Sequence, residues 1–147
     1  VLPHMAEAGA GAIVNTSSTS GMRWTGAAQA AYASSKAAIV QFSRVTAVEF
    51  APKGVRVNTV VPGQLHTPMV ETRLAGQRMG GDVDALLASR VRRIPLGWMG
   101  DGRDTALARQ ALRERRVVLV GHPAEVCQHV IGALRRRASE SRCLQRR

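Results

Sequence analysis

A strand–helix–strand pattern in the first 61 residues constrains the fold most strongly. Residues 11–16, Gly-Ala-Ile-Val-Asn-Thr, form a short apolar run typical of a parallel strand buried on both faces. Residues 30–51 have the composition of a long helix that ends at Pro52-Lys53-Gly54. Residues 54–61 are a second β-branched run, which Pro62-Gly63 ends. Because these lengths match a βαβ unit, we predict an α/β protein with a parallel sheet.

Two loops are expected to carry the function. In open α/β sheets, ligands bind just beyond the carboxyl ends of the strands. The loops that leave those ends here are residues 17–29, which are rich in Ser, Thr and Gly, and residues 62–70. Candidate residues for the rim of a site there are Arg23, Trp24, His66, Met69 and Trp98.

Composition narrows the class of protein. A chain of 147 residues with 45% hydrophobic content is typical of one globular domain. It has no apolar run of the roughly 18 to 20 residues that a membrane helix needs. Residues 1–5 lack the pattern of a signal peptide and an initiator Met, so we expect a cytoplasmic location and a start inside a longer gene product. Cys127 and Cys143 have no metal-ligand spacing, and no metal site is predicted.

The positive charge is concentrated at one end of the chain. Of the net charge of +11, residues 106–147 carry 10 basic against 3 acidic residues, with Arg135-Arg136-Arg137 as the densest run. Residues 1–105 hold 11 basic against 7 acidic residues. A basic face can bind nucleic acid, but this one lacks interleaved aromatic residues and a known binding module. Nucleic acid is therefore not the favoured partner.

The pair Tyr32 and Lys36 offers acid–base chemistry. A spacing of four residues places both side chains on one face of a helix. A tyrosine titrates near pH 10 when unperturbed, and an ammonium about 5 Å away favours the phenolate by roughly 3 kcal/mol at an effective dielectric constant of about 20. Tyr32 is the single tyrosine and Lys36 is one of two lysines.

Five motifs in order give the chain a family resemblance. They are N-T-S-S at residues 15–18, Gly21, Y-A-S-S-K at residues 32–36, V-R-V-N-T-V-V-P-G at residues 55–63, and Thr67-Pro68-Met69. Over residues 1–105 the chain resembles the short-chain dehydrogenase/reductase family. The resemblance implies a partial Rossmann-like, doubly wound parallel sheet, and a chain that holds the C-terminal, catalytic half of such an enzyme.

The resemblance also implies roles for individual residues. It makes Ser18, Tyr32 and Lys36 the catalytic set, in which Ser18 bonds the substrate oxygen and Tyr32 moves the proton. Lys36 would favour the phenolate and bind the nicotinamide ribose, and Asn58 is expected to be structural. NAD or NADP would be the cofactor, and the reaction would interconvert a secondary alcohol and a ketone. The nicotinamide end of the cofactor would contact Tyr32, Lys36, Pro62, Gly63, Leu65 and Thr67.

The chain departs from the family pattern in three ways. Ser18 lies 14 residues before Tyr32, one more than is usual, although Gly21 aligns Ser18 rather than Thr19. The glycine-rich turn that receives the dinucleotide pyrophosphate is absent. Residues 106–147 form a divergent Arg-rich tail, which either comes from an altered reading frame or supplies a replacement strand at Val117–Val120 and a helix at Ala124–Arg137.

Three hypotheses of function follow. The first is an NAD(P)-dependent oxidoreductase acting on a small alcohol or ketone. The second is a truncated, non-catalytic relic that acts as a subunit-interaction surface. It rests on helix 30–51, which is apolar almost all round and resembles the family's pairing helix, so a homo-oligomer is expected. The third is nucleic-acid binding by the Arg-rich tail.

Overall fold

The computed structural model describes residues 1–74, 76 and 80–114. These residues form four α-helices and four β-strands, joined by short 3₁₀ turns at Thr19–Gly21 and Ala51–Lys53 and a π-helical turn at Val70–Leu74. In chain order the helices and strands are α1 (Leu2–Glu7), β1 (Gly11–Thr16), α2 (Ala30–Phe50), β2 (Val55–Val60), β3 (Leu65–His66), α3 (Val83–Val91), β4 (Gly100–Asp101) and α4 (Gly102–Arg113).

The predicted βαβ unit is confirmed. Strands β1 and β2 pair in parallel, with Gly11 opposite Val55 and Thr16 opposite Val60, and α2 connects them. Strands β3 and β4 form a second, two-residue parallel pair in which Leu65 lies opposite Gly100. Both strands of the main pair therefore end at the same edge of the sheet, where the loops that follow them meet.

Helices cover both faces of the β1–β2 sheet. On one face Val14 packs against Val60 of β2 and Leu112 of α4. On the other face the Asn15 amide donates to the Ser43 hydroxyl of α2 at 2.8 Å. Since successive strand residues point to opposite faces, α2 and α4 lie on opposite sides of the sheet. This is the doubly wound arrangement expected from the sequence.

Helix α2 begins and ends close to its predicted limits, but it buries little of its own surface. Ser43 and Thr46 are its buried residues, and both are small and polar. Phe42 is 60% exposed, Val45 55% and Val48 78%. The sequence predicts burial on more than one side of this helix. Within the described part of the chain, only the face toward the sheet is covered.

The glycine-rich composition of residues 94–105 predicts an irregular connection, and this prediction is wrong from Gly100 onward. Strand β4 occupies Gly100–Asp101, and α4 starts at once because the Asp101 carboxylate accepts hydrogen bonds from the backbone N–H groups of Arg103 and Asp104. The Asp104 carboxylate accepts in return from the Asp101 N–H at 2.8 Å, which completes a capping box. Helix α4 then continues across residue 105 to Arg113.

Other predicted elements have mixed outcomes. The sequence predicts two short helices after the second strand, over residues 70–79 and 83–91, the second with Asp82 as its N-cap. The second is confirmed at Val83–Val91, where the Asp82 carboxylate accepts from the Ala85 N–H. The first is a π-helical turn over Val70–Leu74, and most of its second half lies outside the described residues. The strand predicted at Val117–Val120 and the helix predicted at Ala124–Arg137 also lie outside them. Among described helices, none is both long and apolar enough to span a bilayer.

Candidate functional site

The loop that follows β1 is fastened to α2 by a buried serine. Ser17 is 3% exposed, and its backbone N–H donates to the Val60 carbonyl at 2.9 Å, which extends the strand pairing by one residue. Its hydroxyl donates to the Lys36 carbonyl at 2.6 Å. Ser17 could not be chosen over its neighbours from the sequence, because a run of Ser and Thr does not show which hydroxyl turns inward.

Gly21 lets the same loop lie directly on α2. A Cβ at this position would lie 2.6 Å from both the Ala37 nitrogen and the Lys36 carbonyl carbon. Only glycine allows the backbone to approach the helix this closely. Between these two contacts, Ser18 Oγ accepts a hydrogen bond from the Ser20 N–H at 3.2 Å and caps the turn. The loop holds Ser18 at a fixed position relative to the start of α2.

The rest of the loop is closed by a side-chain cluster that the sequence did not single out. Gln29 immediately precedes α2, and its amide donates to the Ser20 hydroxyl at 2.8 Å and to the Thr25 hydroxyl at 3.2 Å. The two hydroxyls are 3.3 Å apart. This cluster orders the segment between Ser18 and Tyr32 without metal or disulfide.

Tyr32 and Lys36 meet as the four-residue spacing predicts. Lys36 Nζ lies 5.6 Å from the centroid of the Tyr32 ring and donates to the Thr16 carbonyl at 3.3 Å. Tyr32 is 46% exposed, and its hydroxyl makes no hydrogen bond to any described residue. The phenol is thus available to a ligand, next to an ammonium held at the end of β1.

The loop that follows β2 lies beside the loop that follows β1, residues 17–29, which we call the serine loop. The Pro62 carbonyl accepts a hydrogen bond from the Thr19 N–H at 3.1 Å. At Gly63, a Cβ would stand 3.6 Å from the Thr19 methyl carbon, so the two loops are in contact. Further along, the Thr67 carbonyl accepts from the Val70 N–H at 2.9 Å and begins the π-helical turn.

An open cavity of about 710 Å³ lies between these loops and the segment after α3. Of the predicted site residues, Ser18, Tyr32, Gly63 and Leu65 line it, whereas Lys36, Pro62 and Thr67 do not. Of the rim candidates, Arg23, Trp24, Met69 and Trp98 line it. His66 does not. Its Nε2 lies 2.9 Å from Glu71 Oε1 instead.

The donors around Tyr32 fit the nicotinamide end of a dinucleotide. Lys36 has three N–H donors and uses one on Thr16, among the described residues, so two remain for ribose hydroxyls. The Ser18 hydroxyl accepts from Ser20, and its own proton has no acceptor in the described part of the chain. Within those residues there is no cluster of His, Cys, Asp and Glu that could hold a metal ion.

Comparison with known proteins gives relatives that are named as oxidoreductases and dehydrogenases. The chain is 41% identical over 101 residues to the oxidoreductase UcpA of Salmonella typhimurium, which covers 69% of this chain and 38% of that protein. It is 37% identical over 106 residues to the 2-keto-3-deoxy-L-fuconate dehydrogenase of Xanthomonas campestris, covering 72% of this chain and 35% of that enzyme. The chain therefore spans well under half the length of these relatives.

Solved structures give the same result. A crystal structure from Burkholderia xenovorans, described as a short-chain dehydrogenase/reductase, superimposes with a TM-score of 0.72 at 59% identity, over 80% of this chain and 45% of that one. A 3-oxoacyl-[acyl-carrier protein] reductase of Brucella melitensis with bound NAD has a TM-score of 0.63 at 31% identity, over 76% and 37% of the two chains. The NADP-bound enzyme ElxO also has a TM-score of 0.63, at 30% identity over 76% and 42%.

The family model described as short chain dehydrogenase matches residues 1–78, which include β1, α2, β2 and the loops that form the cavity. This match covers more than half of the chain and agrees with both sets of relatives. The chain belongs to the short-chain dehydrogenase family.

Proposed function

We propose that the chain is the proton-transfer part of an NAD(P)-dependent oxidoreductase that interconverts a secondary alcohol and a ketone. The observation that carries the proposal is that Ser18 and Tyr32 line one cavity, while Lys36 Nζ lies 5.6 Å from the centroid of the Tyr32 ring and donates to the Thr16 carbonyl at the end of β1. The family membership supplies the class of reaction, and the residues supply its chemistry.

Each of these side chains has one task. Tyr32 donates its proton to the carbonyl oxygen during reduction and takes a proton from the alcohol during oxidation. Ser18 donates a hydrogen bond to the same oxygen and stabilises the charge that develops on it. Lys36 places a positive charge beside the Tyr32 ring and stabilises the phenol oxygen after it has lost its proton.

The nicotinamide end of the cofactor is held by this chain. Lys36 would bind the ribose hydroxyls with its two remaining N–H donors, and Gly63 and Leu65 of the cavity lining would hold the nicotinamide, with Pro62 and Thr67 in the same loop. When bound, the nicotinamide supplies or accepts the hydride. The sequence has no glycine-rich turn after a strand of the kind that receives a pyrophosphate, so the proposal concerns the nicotinamide end alone. The NAD-bound and NADP-bound relatives support the cofactor class and leave both nucleotides as candidates.

Fluorescence titration of the purified chain with reduced nicotinamide mononucleotide, NADH and NADPH tests the proposal. All three are expected to bind saturably and within about threefold of one another, because the chain contacts only the part they share. Lys36→Ala should weaken binding about tenfold by removing charged hydrogen bonds. Lys53→Ala is the matched control, because Lys53 Nζ lies 5.0 Å from the Phe50 ring centroid and outside the cavity lining. A folded chain that binds none of the three would contradict an assembled site.

Turnover separates this proposal from a second one, in which the chain is a non-catalytic subunit-interaction surface. The observation that favours the second is the exposed apolar side of α2, formed by Phe42, Val45 and Val48. Oxidation of NADH by a ketone, lost in Tyr32→Phe, would support the enzyme. Cofactor binding without turnover, in a chain that associates through α2, would support the interaction surface.

A further inference from the structure

The charges around the cavity are of one sign. Its described lining includes three arginines, Arg23, Arg90 and Arg93, and no aspartate or glutamate. Most of the chain's basic excess lies elsewhere, since residues 1–105 hold 11 basic against 7 acidic residues. An unbalanced group of cations at one cleft is therefore a local feature of this site.

Two of the three arginines are solvent-exposed members of the cavity lining. Arg23 belongs to the serine loop and Arg93 follows α3, and both are exposed. Arg93 Nη1 lies 3.7 Å from where a Cβ would stand on Gly26, so the Arg93 side chain reaches across to the serine loop. Neither Arg23 nor Arg93 forms an ion pair with any described residue. We name these two residues the arginine rim.

Arg90 has a different role from the arginine rim. It is partly buried, and its Nη2 donates to the Leu65 carbonyl at 3.2 Å, which ties α3 to β3. It adds positive charge to the cavity wall, while the arginine rim supplies the guanidinium groups that a ligand can reach.

We infer that the substrate carries an anionic oxygen group, a carboxylate or a phosphate, which the arginine rim binds while the reacting carbon lies at Ser18 and Tyr32. This inference rests on the proposed function, because it names the substrate class of that same site. Guanidinium groups pair with carboxylate and phosphate oxygens in matching planar geometry. A cleft lined by one sign of charge also raises the local concentration of oppositely charged ligands.

The cavity carries its own reporter for a test that needs neither cofactor nor turnover. The chain has two tryptophans, and both Trp24 and Trp98 line the cavity. Their emission should change when the site is filled. The full chain would be titrated with 4-oxopentanoate against its methyl ester, and with dihydroxyacetone phosphate against dihydroxyacetone. Each pair keeps the ketone and changes the charge.

The expected result is a preference of about fivefold for the charged member of at least one pair, a size typical of solvent-exposed charge pairs. A carboxylate preference and a phosphate preference identify the two anion classes separately. The preference should disappear in the double variant Arg23→Gln/Arg93→Gln. It should persist in Arg44→Gln/Arg92→Gln, which removes two exposed arginines outside the cavity lining and leaves the same net charge.

Three results would overturn the inference. One is equal affinity for charged and neutral members of both pairs. Another is an equal loss of preference in the two double variants, which would assign the effect to net charge. The third is weaker binding of NADH in Arg23→Gln/Arg93→Gln with an unchanged keto-acid preference, which would assign the arginine rim to the cofactor. Failure of the proposed function would differ from all three, because anion binding would then persist without any oxidation of NADH.

Discussion

Lys36 connects three parts of the site through different atoms. Its carbonyl accepts the Ser17 hydroxyl, its Nζ donates to the Thr16 carbonyl, and its backbone lies against Gly21. The lysine that neighbours Tyr32 therefore also holds the end of β1 against α2. A substitution of its side chain removes one of these contacts, while the backbone contacts remain.

Adding a single methyl group at Gly21 is expected to force the serine loop away from α2. Gly21→Ala would place Cβ 2.6 Å from two backbone atoms of α2, which cannot move as a flexible side chain can. We expect a loss of roughly 2 kcal/mol in unfolding free energy, within the range for overpacked sites. Urea denaturation followed by circular dichroism measures it. Gly102→Ala is the control, since a Cβ there meets nothing within 4 Å. Equal stability of the two variants would contradict the close packing.

At the scale of elements, apolar runs and helix- or strand-ending prolines were enough to predict β1, α2 and β2. The strand at 11–16, the long helix and the second strand follow from β-branched runs and from Pro52 and Pro62. The sequence signal for the start of α4 is the three-residue spacing of Asp101 and Asp104, which is typical of a capping box. The neighbouring glycines favoured a loop instead, so this signal was missed. The inward turn of Ser17 and the cluster around Gln29 depend on tertiary contacts that no local pattern encodes.

The capping box gives α4 a defined start, and its loss should weaken the packing of the whole helix. Asp101→Ala removes the acceptor for two backbone N–H groups, and we expect a loss of about 1 kcal/mol in unfolding free energy. Thermal unfolding followed by circular dichroism measures the change. Asp84→Ala on the exposed surface of α3 is the control, because Asp82 rather than Asp84 caps that helix. A smaller effect at Asp101 than at Asp84 would show that α4 does not depend on its cap.

At the scale of the whole molecule, the apolar side of α2 is an exposed surface that the candidate site does not use. Phe42, Val45 and Val48 are all more than half exposed on a helix whose buried residues are Ser43 and Thr46. Exposed apolar patches of this kind commonly mark contacts between proteins. Self-association through α2 would cover these side chains and leave the cavity open, because none of them lines it.

Self-association through α2 should depend on Val48 and not on an exposed valine outside this side of the helix, such as Val1. Val48→Ser is expected to raise the dissociation constant of the oligomer about tenfold, the effect of losing roughly 1 to 2 kcal/mol of apolar burial. Analytical ultracentrifugation over a range of concentrations measures it. Val1→Ser is the matched control, since Val1 is 80% exposed and Val48 is 78% exposed. Equal behaviour of the two variants would place any interface elsewhere.

The serine loop is attached to α2 at two places, by the Ser17 hydroxyl and by the close packing of Gly21. Ser17, Gly21 and Lys36 fix the distance between the end of β1 and the first turns of α2, whatever lies between Gly21 and Tyr32. The intervening segment can gain or lose residues without moving Tyr32. Arg23 and Trp24 lie in that segment. Under the proposed function, ligand choice and proton transfer are thus encoded in separate stretches of the chain, and a change in the loop would alter the first while preserving the second.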